Sequence, residues 1–213
     1  VLADLLPEDI LACDGALRVV VEESRHSLTM AWDENTPKPL TMTHVAVELG
    51  GEQKQWRMFH HFSWESGTNF YANEAFQLWT LYDYTSGGWS KSGELTGRVL
   101  YDRGGITYTS PYHSLSAVTH TTAGNLFWGP HTSSDPFAAF SLPRNGENCR
   151  GYAAYGAAEV EDNWIINSWI NYVHCRRMFV YPTVTALEWQ MAGTWNGSKQ
   201  PFIQVQDSIQ FYP

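Results

Sequence analysis

Several residues in this chain are of the types that chemistry uses. Cys149, within Asn148-Cys149-Arg150, could act as a thiol nucleophile. That requires one of the eight His within hydrogen-bond reach, with Arg150 and Arg144 lowering the thiol pKa. No local signature of a thiol protease surrounds it, and a plain thiol at the end of a loop is the simpler reading. His60 and His61 are adjacent, so on a strand they point to opposite faces and do not readily share a metal ion. The expected place for His60 is the core, with a hydrogen-bond partner. His113, His120 and His131 lack the paired spacing of a zinc site and read as solvated. Eight His still predict acid sensitivity, because imidazoles buried neutral must take up protons near pH 6. There is no serine elbow, phosphate loop or specific carboxylate pair. The residues therefore point to no catalytic group, no metal and no cofactor, and the expectation is a protein that is not an enzyme.

The elements that would position these residues are strands. With 213 residues and 24.2 kDa, one large domain is the simplest organisation. Aromatics make up 15% of the chain, including ten Trp and eleven Tyr, which suits pleated, half-buried surfaces. Charged residues reach only 16%, so much of the chain must be buried in its own core or against partners. A formal charge of -9 argues against a nucleic-acid groove. No apolar run reaches about 18 residues, from which no membrane span is expected. Cys13, Cys149 and Cys175 are an odd set without a framework spacing, which favours a reducing compartment. Asn196-Gly197-Ser198 fits a glycosylation sequon, a pattern frequent by chance.

Along the chain, residues 1–24 read as an acidic arm. Leu5, Leu6, Ile10 and Leu11 give it a helical turn or two that docks on something. Strands are predicted at Ser27–Trp32, Thr41–Leu49, Trp56–Trp64, Phe76–Tyr84, Arg98–Tyr101 and Ile106–Thr109, with a loop at Asp33–Pro39. Trp56–Trp64 alternates most cleanly: Trp56, Met58, His60, Phe62 and Trp64 share one face. Ser110–Asn148 shows almost no strand signal and reads as a long loop. Gly151–Val160 is Ala-rich and fits strand or helix. Asn163–Pro182 is a long run of β-branched and aromatic residues, read as an extended strand. In the tail from Thr183, Ile203, Val205, Ile209 and Phe211 alternate with polar residues, as in a final edge strand or an arm that pairs with a neighbouring molecule. Many strands with little helix imply an all-β sandwich or jelly roll.

Two segments carry a resemblance. Gly105–Val118 runs from a short strand through Pro111-Tyr112 into a small-residue stretch, and Cys175-Arg176-Arg177-Met178-Phe179-Val180-Tyr181-Pro182 places basic residues before an aromatic and a Pro. Glu23-Ser24-Arg25-His26 and Gln55-Trp56-Arg57 add weaker matches in the same order. Together they resemble the large, five-fold-proximal capsid protein of picornaviruses and picorna-like viruses. The resemblance implies an eight-stranded antiparallel jelly-roll at 25–182 with extended arms at 1–24 and 183–213. The weakest strand would lie between Tyr84 and Arg98. It also implies a structural role in a small icosahedral virion, assembled in the host cytoplasm. Partners would be two other capsid chains, further copies around five-fold axes and a host receptor bound by loops. RNA contact would be limited at most, at Arg18 or Arg25. A chain that begins at Val1 without an initiator Met suits cleavage from a polyprotein. The family's barrel can hold a lipid-like molecule. Trp79, Tyr82 and Met178 lie on candidate strands, but core packing is the plainer job for each and no binding residue is assigned.

Two other functions compete. A carbohydrate-binding β-sandwich would use exposed Trp as stacking platforms, and it predicts a monomer with soluble termini. A thiol hydrolase would require Cys149 to react rapidly with alkylating agents at neutral pH.

Overall fold

Alternation of apolar and polar residues dictates most of this fold. A computed structural model describes residues 2–30, 33–65, 73–79, 89–110, 112–122, 131–141, 146–159, 166–175 and 202–212. Among these, a 3-10 turn (Leu2–Asp4) and a short helix, α1 (Pro7–Leu11), precede eleven strands. They are β1 (Arg18–Met30), β2 (Asp33–Leu49), β3 (Gln55–Trp64), β4 (Asn73–Trp79), β5 (Trp89–Arg103) and β6 (Ile106–Ser110). β7 (Tyr112–Thr122), β8 (His131–Ser141), β9 (Glu147–Glu159), β10 (Ile166–Cys175) and β11 (Phe202–Phe211) complete the set. The helix opens on Pro7, whose fixed φ and missing N–H suit a first turn, and carries Glu8 and Asp9 at its positive end.

The strands form two antiparallel sheets. One runs β1-β2-β3-β9-β5-β6 and the other β11-β10-β4-β8-β7. β1, β2 and β3 are a meander, with Val19 opposite Val47 and His44 opposite His60. The core lies where the two sheets meet. Trp56, Met58, Phe62 and Trp64 of β3 pack with Ile170 and Tyr172 of β10 and with Ile209 and Phe211 of β11. The Trp56 and Phe211 rings are 4.6 Å apart, and Trp64 Nε1 donates to the Tyr172 hydroxyl at 2.9 Å. β9 sits between β3 and β5 and is buried on both faces, with Tyr155 toward the core and Tyr152 away from it. Gly151 makes that fit: a Cβ there would stand 2.8 Å from the Arg98 carbonyl and 2.9 Å from the Phe62 ring.

The face of the six-stranded sheet turned away from the core carries a second, smaller apolar cluster. Leu5 is buried there against Val47, Phe59, Tyr152 and Ala154. The acidic N-terminal segment therefore docks as a helical turn on its own sheet.

The chain is mostly antiparallel β-structure with very little helix, as the sequence implied. Several boundaries differ. The first strand begins at Arg18, nine residues before Ser27, because Val19-Val20-Val21 is apolar on both faces and conceals the alternation. Asp33–Pro39, expected as a loop, extends β2, which pairs with β1 as far as Met30↔Asp33. The stretch after Tyr84 was expected to hold the weakest strand; residues 89–103 form β5, fifteen residues long. Ser110–Asn148, expected as a loop, contains β7, β8 and the start of β9. The Ala-rich segment is strand, and the tail forms β11, an edge strand paired with β10. Of the long Asn163–Pro182 run, Ile166–Cys175 is strand and residues 176–182 lie outside the described residues.

Candidate functional site

Three features have the burial or chemistry of a site. The first is the clamp that holds the N-terminal segment. Residues 57, 61, 98, 150 and 152 all project from the outer face of β3, β5 or β9. Asp4 accepts from Arg150 Nε at 2.9 Å and lies 3.0 Å from His61 Nε2, while Arg98 Nε donates to the Asp4 carbonyl at 2.6 Å. Asp9 accepts from Arg57 and Thr96, each at 2.7 Å, and from the Tyr152 hydroxyl at 2.5 Å. Burial alone would raise the Asp4 carboxyl, but the hydrogen bonds from His61 and Arg150 and their charges prevail and hold it at about 2. Burial and the Asp9 bond push the Tyr152 hydroxyl well above its ordinary range, so it stays a donor.

The second feature is a polar chain that crosses the core. The Tyr155 hydroxyl lies 2.5 Å from Ser168 Oγ, Ser168 Oγ 2.7 Å from His60 Nε2, and His60 Nδ1 2.7 Å from His44 Nδ1. His44 Nε2 then stands 3.3 Å from Asp207 Oδ2, too far off line to count as a full hydrogen bond. Asp207 is also held by His26 Nε2 at 2.9 Å and by the Ser24 hydroxyl. Burial would raise the Asp207 carboxyl; the contacts from His44, His26 and Ser24 outweigh it and hold it well below the usual carboxylate range. Burial, reinforced by the neighbouring His44, drives the His60 imidazole well below its ordinary 6.5.

Ser24, His26 and Asp207 are the residue types of a hydrolytic triad, but their geometry is different. In a relay the serine and the carboxylate bond opposite nitrogens of the imidazole. Here Nε2 of His26 faces both, and Ser24 bonds Asp207 directly. Among the described residues no group of three His, Cys, Asp or Glu is placed to hold a metal ion.

The third feature is apolar and exposed. On the outer side of β1, Val19 and Val21 are 55% and 59% exposed, next to Leu17 at 69%. Ile10 and Leu11 of α1 are also exposed. Among the described residues β1 pairs only with β2, so its other edge presents free backbone groups.

Of the residues singled out in the sequence, His60 is in the core with partners, and His61 is on the opposite face with Asp4. Cys149 is in β9 rather than a loop, buried among core residues. Arg150, the next residue, points outward to Asp4 and Asp102. Alternation thus puts the thiol and its supposed activator on opposite faces, and Arg144 lies outside the described residues. Arg18 donates to the Tyr212 carbonyl at 2.9 Å, and Arg25 pairs with Glu65. His113, His120 and His131 lie on β7 and β8, and Trp79 ends β4. Tyr82 and Met178 lie outside the described residues, as does the sequon at Asn196. Sequence reasoning missed His26, His44, Asp207 and Ser168. His26 and Asp207 stand 181 positions apart, and only the folded sheets join them.

No protein-family model matches this chain, and no curated protein matches it. Among solved structures it is similar to a "Pore forming protein" at 6% identity and a TM-score of 0.40, over 91% of this chain and 92% of that one. It is also similar to the membrane-inserted form of the Clostridium perfringens NetB toxin, at 5% identity and a TM-score of 0.37, over 92% and 97%. A third is the KRT10-binding region domain of the pneumococcal serine rich repeat protein PsrP, at 8% identity and a TM-score of 0.33, over 90% and 99%. Scores in this range do not define a shared fold.

Proposed function

We propose that this protein is a non-catalytic subunit that acts by assembling with copies of itself. The observation that carries the reading is the β1 margin of the six-stranded sheet. Leu17, Val19 and Val21 form an exposed apolar row on an edge strand that, among the described residues, pairs with β2 alone. Lone proteins blunt such edges with Lys, Pro, bulges or cover, because a free edge invites another chain. Contiguous exposed apolar surface beside it marks an interaction site. The low charge and abundant aromatics of the chain agree with extensive burial against partners.

Two kinds of assembly fit this reading, and the β7–β8 hairpin favours one at a membrane. Its two strands are eleven residues each, joined by eight, and residues 112–141 contain a single charged residue other than His, Asp135. A strand of about 9–11 residues crosses a bilayer when tilted. The helix-length rule that predicted no membrane span does not apply to strands. Among the described residues no helix is long and apolar enough to cross. Among the described residues, Val118↔Asp135 to Thr122↔His131 at the outer end of the hairpin pair only with each other, while β4 binds β8 across Phe137–Ser141. Freeing the hairpin breaks that short ladder and the contact of β7 with β5.

The second reading is the virion shell implied by the sequence resemblance, with its five-fold clustering, sister capsid chains and receptor-binding loops. An eight-stranded jelly roll is built of two Greek keys. The meander of β1, β2 and β3 within one sheet of six suits that winding less well.

Light scattering and negative-stain imaging, with and without phosphatidylcholine–phosphatidylserine vesicles, separate the readings. Rings on vesicles with release of trapped dye are the expected result. Closed particles of roughly 30 nm, the expected scale of a small icosahedral shell, containing two further chains would install the shell reading instead. A monodisperse monomer that leaves vesicles intact would sink both and direct the work to glycan binding.

A further inference from the structure

The polar chain through the core has a direction. If both imidazoles are neutral, one assignment places a single proton in each of the three hydrogen bonds and turns the last N–H toward Asp207. Tyr155 donates to Ser168, Ser168 to His60 Nε2, His60 Nδ1 to His44 Nδ1, and His44 Nε2 toward the Asp207 carboxylate. These contacts also tie the sheets together, because His44 and His60 belong to one sheet and Ser168 and Asp207 to the other. Among the described residues, the titratable groups facing His60 are His44 from β2 and Tyr155 from β9; beyond His44 stand His26 from β1 and Asp207 from β11.

With the Ser168 and Tyr155 hydroxyls turned round, the chain has room for one added proton, on His44 beside the Asp207 carboxylate, but not for a second. A proton on His60 as well leaves both Nδ1 atoms carrying hydrogen face to face at 2.7 Å and puts a second cation in the core. Both rings are fully buried, so water cannot compensate the change. We propose that this chain is an acid-opened latch between the two sheets: proton uptake breaks the run of hydrogen bonds and releases β10 and β11 from β2 and β3.

The sign is fixed. The His60 imidazole is held neutral in the closed state, while an opened one takes up a proton near its ordinary 6.5. Acidification below that value therefore favours the open state, by about tenfold per pH unit at most. β10 also pairs with β4, which holds the hairpin, so the sheet that loosens is the one bearing β7 and β8. Any link to membrane entry rests on the assembly reading above; the latch itself does not.

Amide hydrogen exchange on the full chain, at a concentration where light scattering shows monomer, tests the latch without membranes. With rates corrected for intrinsic pH dependence, protection of β10 and β11 should fall about tenfold or more between pH 6.5 and about pH 5. β3 and β9 should keep theirs. His60→Gln keeps a polar side chain that takes up no proton, and should flatten the dependence to below about threefold. Uniform loss across both sheets, no loss, or selective loss that persists in His60→Gln would overturn the latch. If that variant does not fold, ring-labelled histidine NMR of the unaltered protein decides. His60 staying neutral until β10 and β11 open supports the latch, and His60 protonated in a closed sandwich refutes it. Dye release measured over the same pH range tests the membrane link separately.

Discussion

Asp9 is the residue on which the outer face depends most. Its carboxylate binds Arg57, Thr96 and Tyr152 at 2.7 Å or less, and its side chain is only 2% exposed. Replacing it takes the carboxylate from Arg57, which keeps the Thr96 hydroxyl at 2.6 Å but whose Nε is already buried without a partner among the described residues. Breaking a buried pair from one side typically costs about 3–5 kcal/mol. Here the molecule can limit that loss by letting the N-terminal segment go, which forfeits the burial of Leu5, worth about 1.5–3 kcal/mol. Asp9→Ala should therefore expose residues 2–17 to protease while the sandwich stays folded, with about 2–4 kcal/mol lost in denaturant titration. Cleavage spread through β3 and β9 would contradict this account.

At the level of the elements, the β1 margin gives a separable test. Val19 and Val21 are more than half exposed and lie on the side of β1 away from the core, where substitutions usually change stability by less than about 0.5 kcal/mol. Val19→Glu with Val21→Glu should keep the melting temperature and abolish association in light scattering. Unchanged association would move the interface elsewhere.

The same strands show what was legible in the sequence. β3 was readable because one of its faces meets the core and the opposite one is partly polar, so apolar content alternates. β9 was ambiguous because both faces are covered and Ala and Gly fill it, which removes the contrast. β7 and β8 were missed because Ser, Thr and Ala give little hydrophobic signal on either face. The polar chain had no local signature at all. Its members come from six strands, and the only hint was a His placed among the inward-facing aromatics of β3.

For the whole molecule, the titrating groups predict a stability curve with two acid steps. His60, depressed by burial, binds more protons unfolded than folded below 6.5, so stability falls as pH drops from 6.5. Asp4, held at about 2, contributes in a lower window: its stabilisation is complete above its ordinary 3.8 and vanishes as pH falls through about 2. That contribution is of order 2 kcal/mol at most. Urea titrations at fixed pH should show one decline between about pH 6.5 and 5 and a second below about pH 4. A flat curve down to about pH 4 would mean that His60 is not held neutral.

The placement of β9 between β3 and β5 also bears on how the chain is made. About 95 residues separate Trp64, the end of β3, from Glu159, the end of β9. At roughly 5–20 residues per second on a ribosome, the β1–β3 meander emerges some 5–20 s before the strand that completes its sheet. During that interval Trp56, Met58, Phe62 and Trp64 have neither β9 beside them nor β10 and β11 above them. A nascent chain carrying a finished but uncovered aromatic face is a substrate for chaperones. Its yield in the cell should therefore follow the pace of translation between those two strands more closely than the stability of the finished sandwich.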